Sequence, residues 1–272
     1  MAGRLQDKVA LITGAGCIGP GWGNGRAMAV LFAREGARIF AADKNDEAMK
    51  ETLDRVREFG GTIVAQECDV TENASWAAMV AACLKVYGRI DILVNNVGGS
   101  AAGGPVEMAE EVWDAQIDYN LKSVFLGCKH VLPVMEKQGG GAIVNLASTS
   151  GLRWTGAAQV GYAATKAAVI QLSKVVAVQY ASKGIRVNTV CPGMVKTPLN
   201  ESVWRAWHDQ QPPDQRRTYE EWAGDKIRAL LPLGRWQTPE DIANMVVFLS
   251  SARAAQVTGQ TINVDGGFVM HW

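Results

Sequence analysis

The hydrophobic positions of this chain fall into short unbroken runs that alternate with longer segments of helical period. Apolar runs at 8–13, 39–42, 62–66, 90–95, 142–147, 185–190 and 260–264 read as strands. The segments 24–36, 46–59, 73–87, 109–137, 160–182 and 239–251 repeat apolar residues three or four apart and read as helices. Because the strand runs are continuous rather than alternating, they predict strands covered on both faces. Strand and helix in strict succession predict an α/β fold: one doubly wound, Rossmann-type parallel sheet of about seven strands, with helices on both faces. No repeat, low-complexity tract or linker divides residues 1–272, so a single domain is expected. The segment 194–236 breaks the rhythm; it is polar and aromatic and is expected to be a lid over a substrate.

In a sheet of this kind ligands lie beyond the carboxyl ends of the strands. The polar clusters of this chain stand there: Gly14–Gly25 after the first strand, Asp43 after the second, Asp69 after the third. Asn95 to Gly99 follow the fourth, Ser148 the fifth, and Pro192-Gly193 the sixth. Tyr162 and Lys166, four apart at the head of the helix 160–182, share one face. An ammonium beside a phenol favours the phenolate. With a hydroxyl from Ser148 or Ser150, the group suits proton transfer to an alcohol or carbonyl.

Gly14-Ala15-Gly16-Cys17-Ile18-Gly19 spells a GxGxxG string between a strand and a helix, a setting in which backbone can approach a pyrophosphate. Pro20, Gly21 and Gly23 exclude a helix starting at Gly16. The helix is placed from about Asn24, with Asn24 as its cap, after an unusually long loop. Trp22 either shields a cofactor or packs on its neighbours. Asp43 closes the second strand, where a carboxylate accepts from an adenosine ribose and repels a 2′-phosphate, favouring NAD over NADP. Lys44 and Arg38 are the nearby cations that weigh the other way.

Lys and Arg (27) balance Asp and Glu (27), so no overall field attracts nucleic acid or an anionic membrane. No apolar run approaches the roughly 20 residues of a spanning helix. The amino terminus carries no secretory pattern, and the five cysteines (Cys17, Cys68, Cys83, Cys128, Cys191) lack disulfide or zinc spacing. A soluble cytoplasmic protein with reduced thiols and no metal is expected.

Taken together these residues resemble the short-chain dehydrogenase/reductase family. The resemblance rests on Thr13-Gly14-Ala15-Gly16 with Gly25, Asn95-Asn96-Val97-Gly98, Asn120, Tyr162-x-x-x-Lys166 with Ser148, Pro192-Gly193 through Thr197, and Val264-Asp265-Gly266-Gly267. It spans nearly the whole chain and implies a NAD(P)-dependent oxidoreductase, usually a homotetramer. It implies Tyr162 as general acid/base, Lys166 as the group that lowers its pKa and holds the nicotinamide ribose, Ser148 on the substrate oxygen, and Asn120 anchoring a water chain. Gly14, Gly16, Gly25 and Asp43 would bind the cofactor, Asp69 and Val70 its adenine. Asn95, Gly98, Pro192 and Gly193 would line it, and Val195 and Thr197 would meet its carboxamide side. Two departures stand out: a glycine loop about five residues longer than the family's, and Val97 for alanine. Ser148 is preferred to Ser150 because it follows Asn145 by three residues; Ser150 is expected to cap the turn.

Arg153, Trp154 and Trp204 are the candidate substrate contacts, Arg153 for a carboxylate or sulfonate. His130 is expected to be packed or at an interface, and His271 is terminal. The expected reaction interconverts a secondary alcohol and a ketone with NAD(H). The alternatives are an NADPH-dependent ketoreductase and a dinucleotide-binding sensor without turnover.

Overall fold

The computed structural model describes residues 3–270, apart from the Ala206 side chain. Seven strands, β1 (Val9–Thr13), β2 (Arg38–Asp43), β3 (Ile63–Glu67), β4 (Ile92–Asn95), β5 (Gly141–Leu146), β6 (Ile185–Pro192) and β7 (Thr261–Val264), form one parallel sheet in the order β3-β2-β1-β4-β5-β6-β7. Alternate residues of each strand serve opposite faces. Ala10, Ile12, Ile39, Val94 and Val144 join α1 (Asn24–Arg34) and the Pro239–Ser250 helix in one core. Val9, Leu11, Phe40, Leu93 and Ile143 join α3 (Asn73–Tyr87) and the Ser123–Gln138 helix in the other. Burial on both faces explains the unbroken apolar runs. The strand order reverses between β1 and β4, and the carboxyl ends there open a crevice.

The helix expected at 109–137 is two helices, α4 (Glu110–Ile117) and α5 (Ser123–Gln138), joined by a π-helical turn at Asp118–Lys122. Ser123 N–H donates to Asp118 O, one residue further than in an α-helix, and the extra residue turns Asn120 into the protein, fully buried. The segment 194–236 is also more regular than expected, containing α7 (Pro198–Asp209) and α8 (Tyr219–Leu230). The Thr197 hydroxyl accepts from Asn200 N–H with Pro198 in the first turn, and Thr218 and Glu221 form a capping box. The remaining helices, α2 (Asp46–Arg57), α6 (Val160–Tyr180) and α9 (Pro239–Ser250), fall within a few residues of expectation.

The long glycine loop is anchored from within. α1 begins at Asn24 as expected, but its cap is Gly23, and the Asn24 side chain caps nothing. Arg26 is almost wholly buried (2% exposed); its guanidinium donates to Gly21 O, to Thr52 Oγ1 (3.1 Å) and to Ala48 O (3.2 Å), and pairs with Glu51 (2.5 Å). Trp22 packs beneath the Arg55 guanidinium, 4.5 Å from its ring centroid. Loop and α2 are thus pinned together, and the shielding role for Trp22 gives way to packing. Arg26→Met should destabilise the protein by about 2–3 kcal/mol through lost charged hydrogen bonds. Urea unfolding measures the loss, and hydrogen exchange should accelerate first in residues 17–23.

Candidate active site

The first turn of α6 lays Tyr162 and Lys166 over the ends of β5 and β6. Lys166 is 2% exposed, and its ammonium donates to Leu146 O at 2.9 Å. It stands 5.7 Å from the centre of the Tyr162 ring. Gly98 packs against it: a Cβ there would lie 2.8 Å from Lys166 Nζ and 2.9 Å from Asn120 Oδ1. Asn120, carried inward by the π turn, exchanges hydrogen bonds with Gly99, whose N–H donates to Oδ1 (3.0 Å) and whose carbonyl accepts from Nδ2 (2.9 Å). Behind them Asn95 Nδ2 donates to Asn145 Oδ1 (2.8 Å) and Asn145 Nδ2 to Ser173 Oγ (2.8 Å), tying β4, β5 and α6 into one support.

Ser148 is buried, lines the same cleft as Tyr162, and accepts from Ser150 N–H at 3.1 Å. The turn is capped by Ser148, not by Ser150 as expected. The Ser150 hydroxyl instead accepts from Gln159 Nε2 at 2.8 Å.

Burial dominates the electrostatics. It pushes the Tyr162 phenol above its ordinary value, with the Ser148 hydrogen bond pulling the other way. It lowers the Lys166 ammonium to about 8. Lys166 is expected to lower the phenol pKa, and burial is the larger effect here. The ammonium is aimed at a carbonyl rather than at the phenolic oxygen, and each charge is penalised by the same burial.

The glycine cradle lies across the switch point. Gly14 has φ 62°, and a Cβ on Gly25 would fall 1.8 Å from Gly14 O, so α1 and the loop touch backbone to backbone. Gly16 N–H donates to Asp43 Oδ2 (3.0 Å) and Asn45 N–H to Asp43 Oδ1 (3.1 Å), which leaves lone pairs on both carboxylate oxygens. Asn24 Oδ1 is buried without a partner at the head of α1. Side-chain-free backbone, a helix start and an orphaned polar atom fit a dinucleotide. Lys44 is tied to Asp69 at 2.5 Å. That bond and those from Thr71 outweigh burial and hold the Asp69 carboxyl down at about 2. Arg38 opens β2, five residues and about 16 Å from Asp43, at the far end of the sheet. It cannot bear on the cofactor choice. Val70 is buried beside Asp69.

A cleft of about 440 Å³ gathers Gly98, Ser148, Tyr162, Lys166, Pro192, Gly193, Val195 and Thr197. The three candidate substrate contacts lie elsewhere. Arg153 and the 68%-exposed Trp154 border an adjoining apolar groove that shares Ser150, Thr155 and Ala157–Gln159 with the cleft. Trp204 packs on His208 (5.1 Å) and Tyr219 (5.7 Å) between α7 and α8, its indole N–H donating to Arg217 O. The cleft is walled instead by Leu199 and Val203 of α7, Lys226 and Leu230 of α8, Met194 and Phe268. Each helix contributes a pair four residues apart, a signal the aromatic character of the segment obscured.

His130 Nε2 lies 3.0 Å from Asn73 Oδ1, packing α5 on α3 as expected, whereas His271 is outside the described residues. Among the described residues no His/Cys/Asp/Glu group could hold a metal ion, and no helix is long and apolar enough to cross a membrane. All five cysteines are free.

The family model adh_short_C2, described as Enoyl-(Acyl carrier protein) reductase, matches residues 21–269. The 3-oxoacyl-[acyl-carrier-protein] reductase FabG of Thermotoga maritima is 38% identical over 267 residues, covering 98% of this chain and 100% of its own. The 2,5-dichloro-2,5-cyclohexadiene-1,4-diol dehydrogenase LinX of Sphingobium indicum is 37% identical over 268 residues, covering 98% of each. A crystal structure of a putative short-chain dehydrogenase/reductase from Burkholderia xenovorans superposes with a TM-score of 0.89 at 52% identity, covering 98% of each chain. The chain belongs to the short-chain dehydrogenase/reductase family of oxidoreductases.

The folded pKa of Lys166, about 8, lies below the ordinary lysine value of 10.5, so between them the unfolded chain holds the extra proton. The Lys166 contribution to stability should therefore rise with pH across that window, by a few kcal/mol. Denaturant unfolding of wild type and Lys166→Met measures it: the stability difference should grow in favour of wild type from pH 8 to pH 10.5.

Proposed function

We propose that the protein interconverts a secondary alcohol and a ketone with NAD(H). The observation that carries this reading is the convergence of Ser148, Tyr162 and Lys166 at the floor of the cleft, next to the glycine cradle. Tyr162 takes the proton from the alcohol oxygen, or returns it to the carbonyl. Ser148, which lines the cleft beside Tyr162, holds that oxygen. Lys166 supplies positive charge beneath the phenol and a donor for the ribose. Asn120 fixes the Gly98-Gly99 backbone beside the ammonium and begins the path by which protons return to solvent. Bound there, the nicotinamide dinucleotide supplies or accepts the hydride. Gly14, Gly16, Gly25, Asn95, Gly98, Asp69, Val70, Pro192, Gly193, Val195 and Thr197 are proposed to hold it, and α7 and α8 to cover the substrate.

NAD is favoured by Asp43, whose carboxylate would oppose a 2′-phosphate, while the one close cation, Lys44, is held by Asp69. The likeness to a 3-oxoacyl reductase makes an NADPH-dependent ketoreductase the second reading. Exposed Phe125 on α5 and Val175 and Val178 on α6 support association, and a cytoplasmic homotetramer is the proposed state.

Tyr162→Phe should lower kcat roughly a hundred- to ten-thousandfold while NAD affinity stays within about threefold, read by reduced-nicotinamide absorbance over an alcohol and ketone panel. The kcat/KM with NAD should exceed that with NADP by at least about a hundredfold, and Asp43→Ser should shrink that ratio. A wild-type ratio favouring NADP would select the second reading.

A further inference from the structure

The walls of the cleft are uneven in charge. Among the described residues no carboxylate lines it, and two lysines do: Lys166 at its floor and Lys226 on α8. Lys166 is engaged with the Leu146 carbonyl. Lys226 is half-buried, and burial lowers its pKa with no hydrogen bond or opposite charge to offset the cost. Of the acids of its own helix, Asp225 is tied to Arg217 and Arg228 and Glu221 to the Thr218 cap, while Glu220 is exposed and does not line the cleft.

The position of Lys226 is fixed by packing. Its ammonium stands 4.8 Å over the ring of Trp222, one turn earlier. Trp222 is buried, stacked on Trp236 at 6.4 Å and flanked by Tyr219 at 6.0 Å and Trp207 at 6.5 Å. Around Lys226 the cleft presents Leu199, Val203 and Leu230, with Met194 and Phe268. A cation half-withdrawn from water among apolar side chains recovers its lost hydration when an anion pairs with it.

We propose that Lys226 binds the carboxylate of the substrate, which is a hydroxy acid or oxo acid with an apolar, cyclic-sized body lying between α7 and α8. Lys226 is thus a specificity-determining residue, and it takes the anion-binding role expected of Arg153, which does not line this cleft. The reaction at the far end of such a molecule rests on the oxidoreductase reading above; the carboxylate contact does not.

The test separates binding from turnover. With NAD present, cyclohexanecarboxylate and cyclohexanecarboxamide are titrated by calorimetry and by tryptophan fluorescence, since Trp222 lies under the ammonium. Wild type should bind the carboxylate at least about tenfold more tightly. Lys226→Met and Lys226→Gln should abolish the preference, and Lys226→Arg should retain it. In the kinetic arm, 4-hydroxycyclohexanecarboxylate is compared with its methyl ester. Lys226→Met should raise KM for the acid about tenfold and leave kcat, and KM for the ester, nearly unchanged. Equal or absent binding of both probes by wild type overturns the proposal. So does an unchanged preference in Lys226→Met, including the case where that variant weakens NAD binding instead. A preserved carboxylate preference with no turnover of acid or ester would sink the redox reading and leave this one standing.

Discussion

A lysine side chain held almost entirely out of water at the end of a parallel sheet is the constraint on which the rest depends. Burying an ammonium is expensive, and the fold meets the cost with one carbonyl, Leu146 O, and with space cleared by a residue that has no side chain, Gly98. Asn120 occupies the other side of that space, and a π turn in mid-helix is what brings it there. The Asn95–Asn145–Ser173 chain then locks the strands that carry these groups to the helix that carries Tyr162. Phenol and ammonium are both pressed toward neutrality by the same burial. Additional positive charge in the cleft would release that pressure in favour of the phenolate.

The cradle for the dinucleotide is built on a different principle. There, close backbone contact does the work, with Gly25 against the Gly14 carbonyl and Gly16 N–H on Asp43. The lengthened loop would be a liability without Arg26, a buried side chain that reaches Gly21 and three residues of α2. An arginine inside the protein holds the loop, leaving Asp43 free to face outward.

The sheet, its strand ends and the Ser148, Tyr162 and Lys166 group were legible because they are written in period and spacing. Unbroken apolar runs report burial on both faces, and four-residue separation on a helix reports a shared face. The π turn was not legible, since one extra residue in a helix leaves no mark in composition. The two helices of 194–236 were hidden for another reason: tryptophans, arginines and prolines scattered through the segment read as irregular, although Thr197-Pro198 and Thr218-x-x-Glu221 are cap signatures. Arg153, Trp154 and Trp204 were chosen for their chemistry near the serine strand or in the lid, and proximity along the chain misled. The first two border a groove that adjoins the cleft along Ala157–Gln159 and do not line the cleft itself. The electrostatic sign at Tyr162 also needed coordinates, because spacing places a lysine near a tyrosine without saying where its ammonium points.

The most direct measurement is the ionisation of Tyr162 itself, followed by near-ultraviolet difference absorbance with and without NAD+. Without the dinucleotide no tyrosine should titrate below its ordinary value of about 10. With it, one tyrosine should titrate well below that value, the signal should vanish in Tyr162→Phe, and it should move back up in Lys166→Met. A complex in which no tyrosine ionises early, or in which Tyr162→Phe titrates as wild type does, would contradict the account.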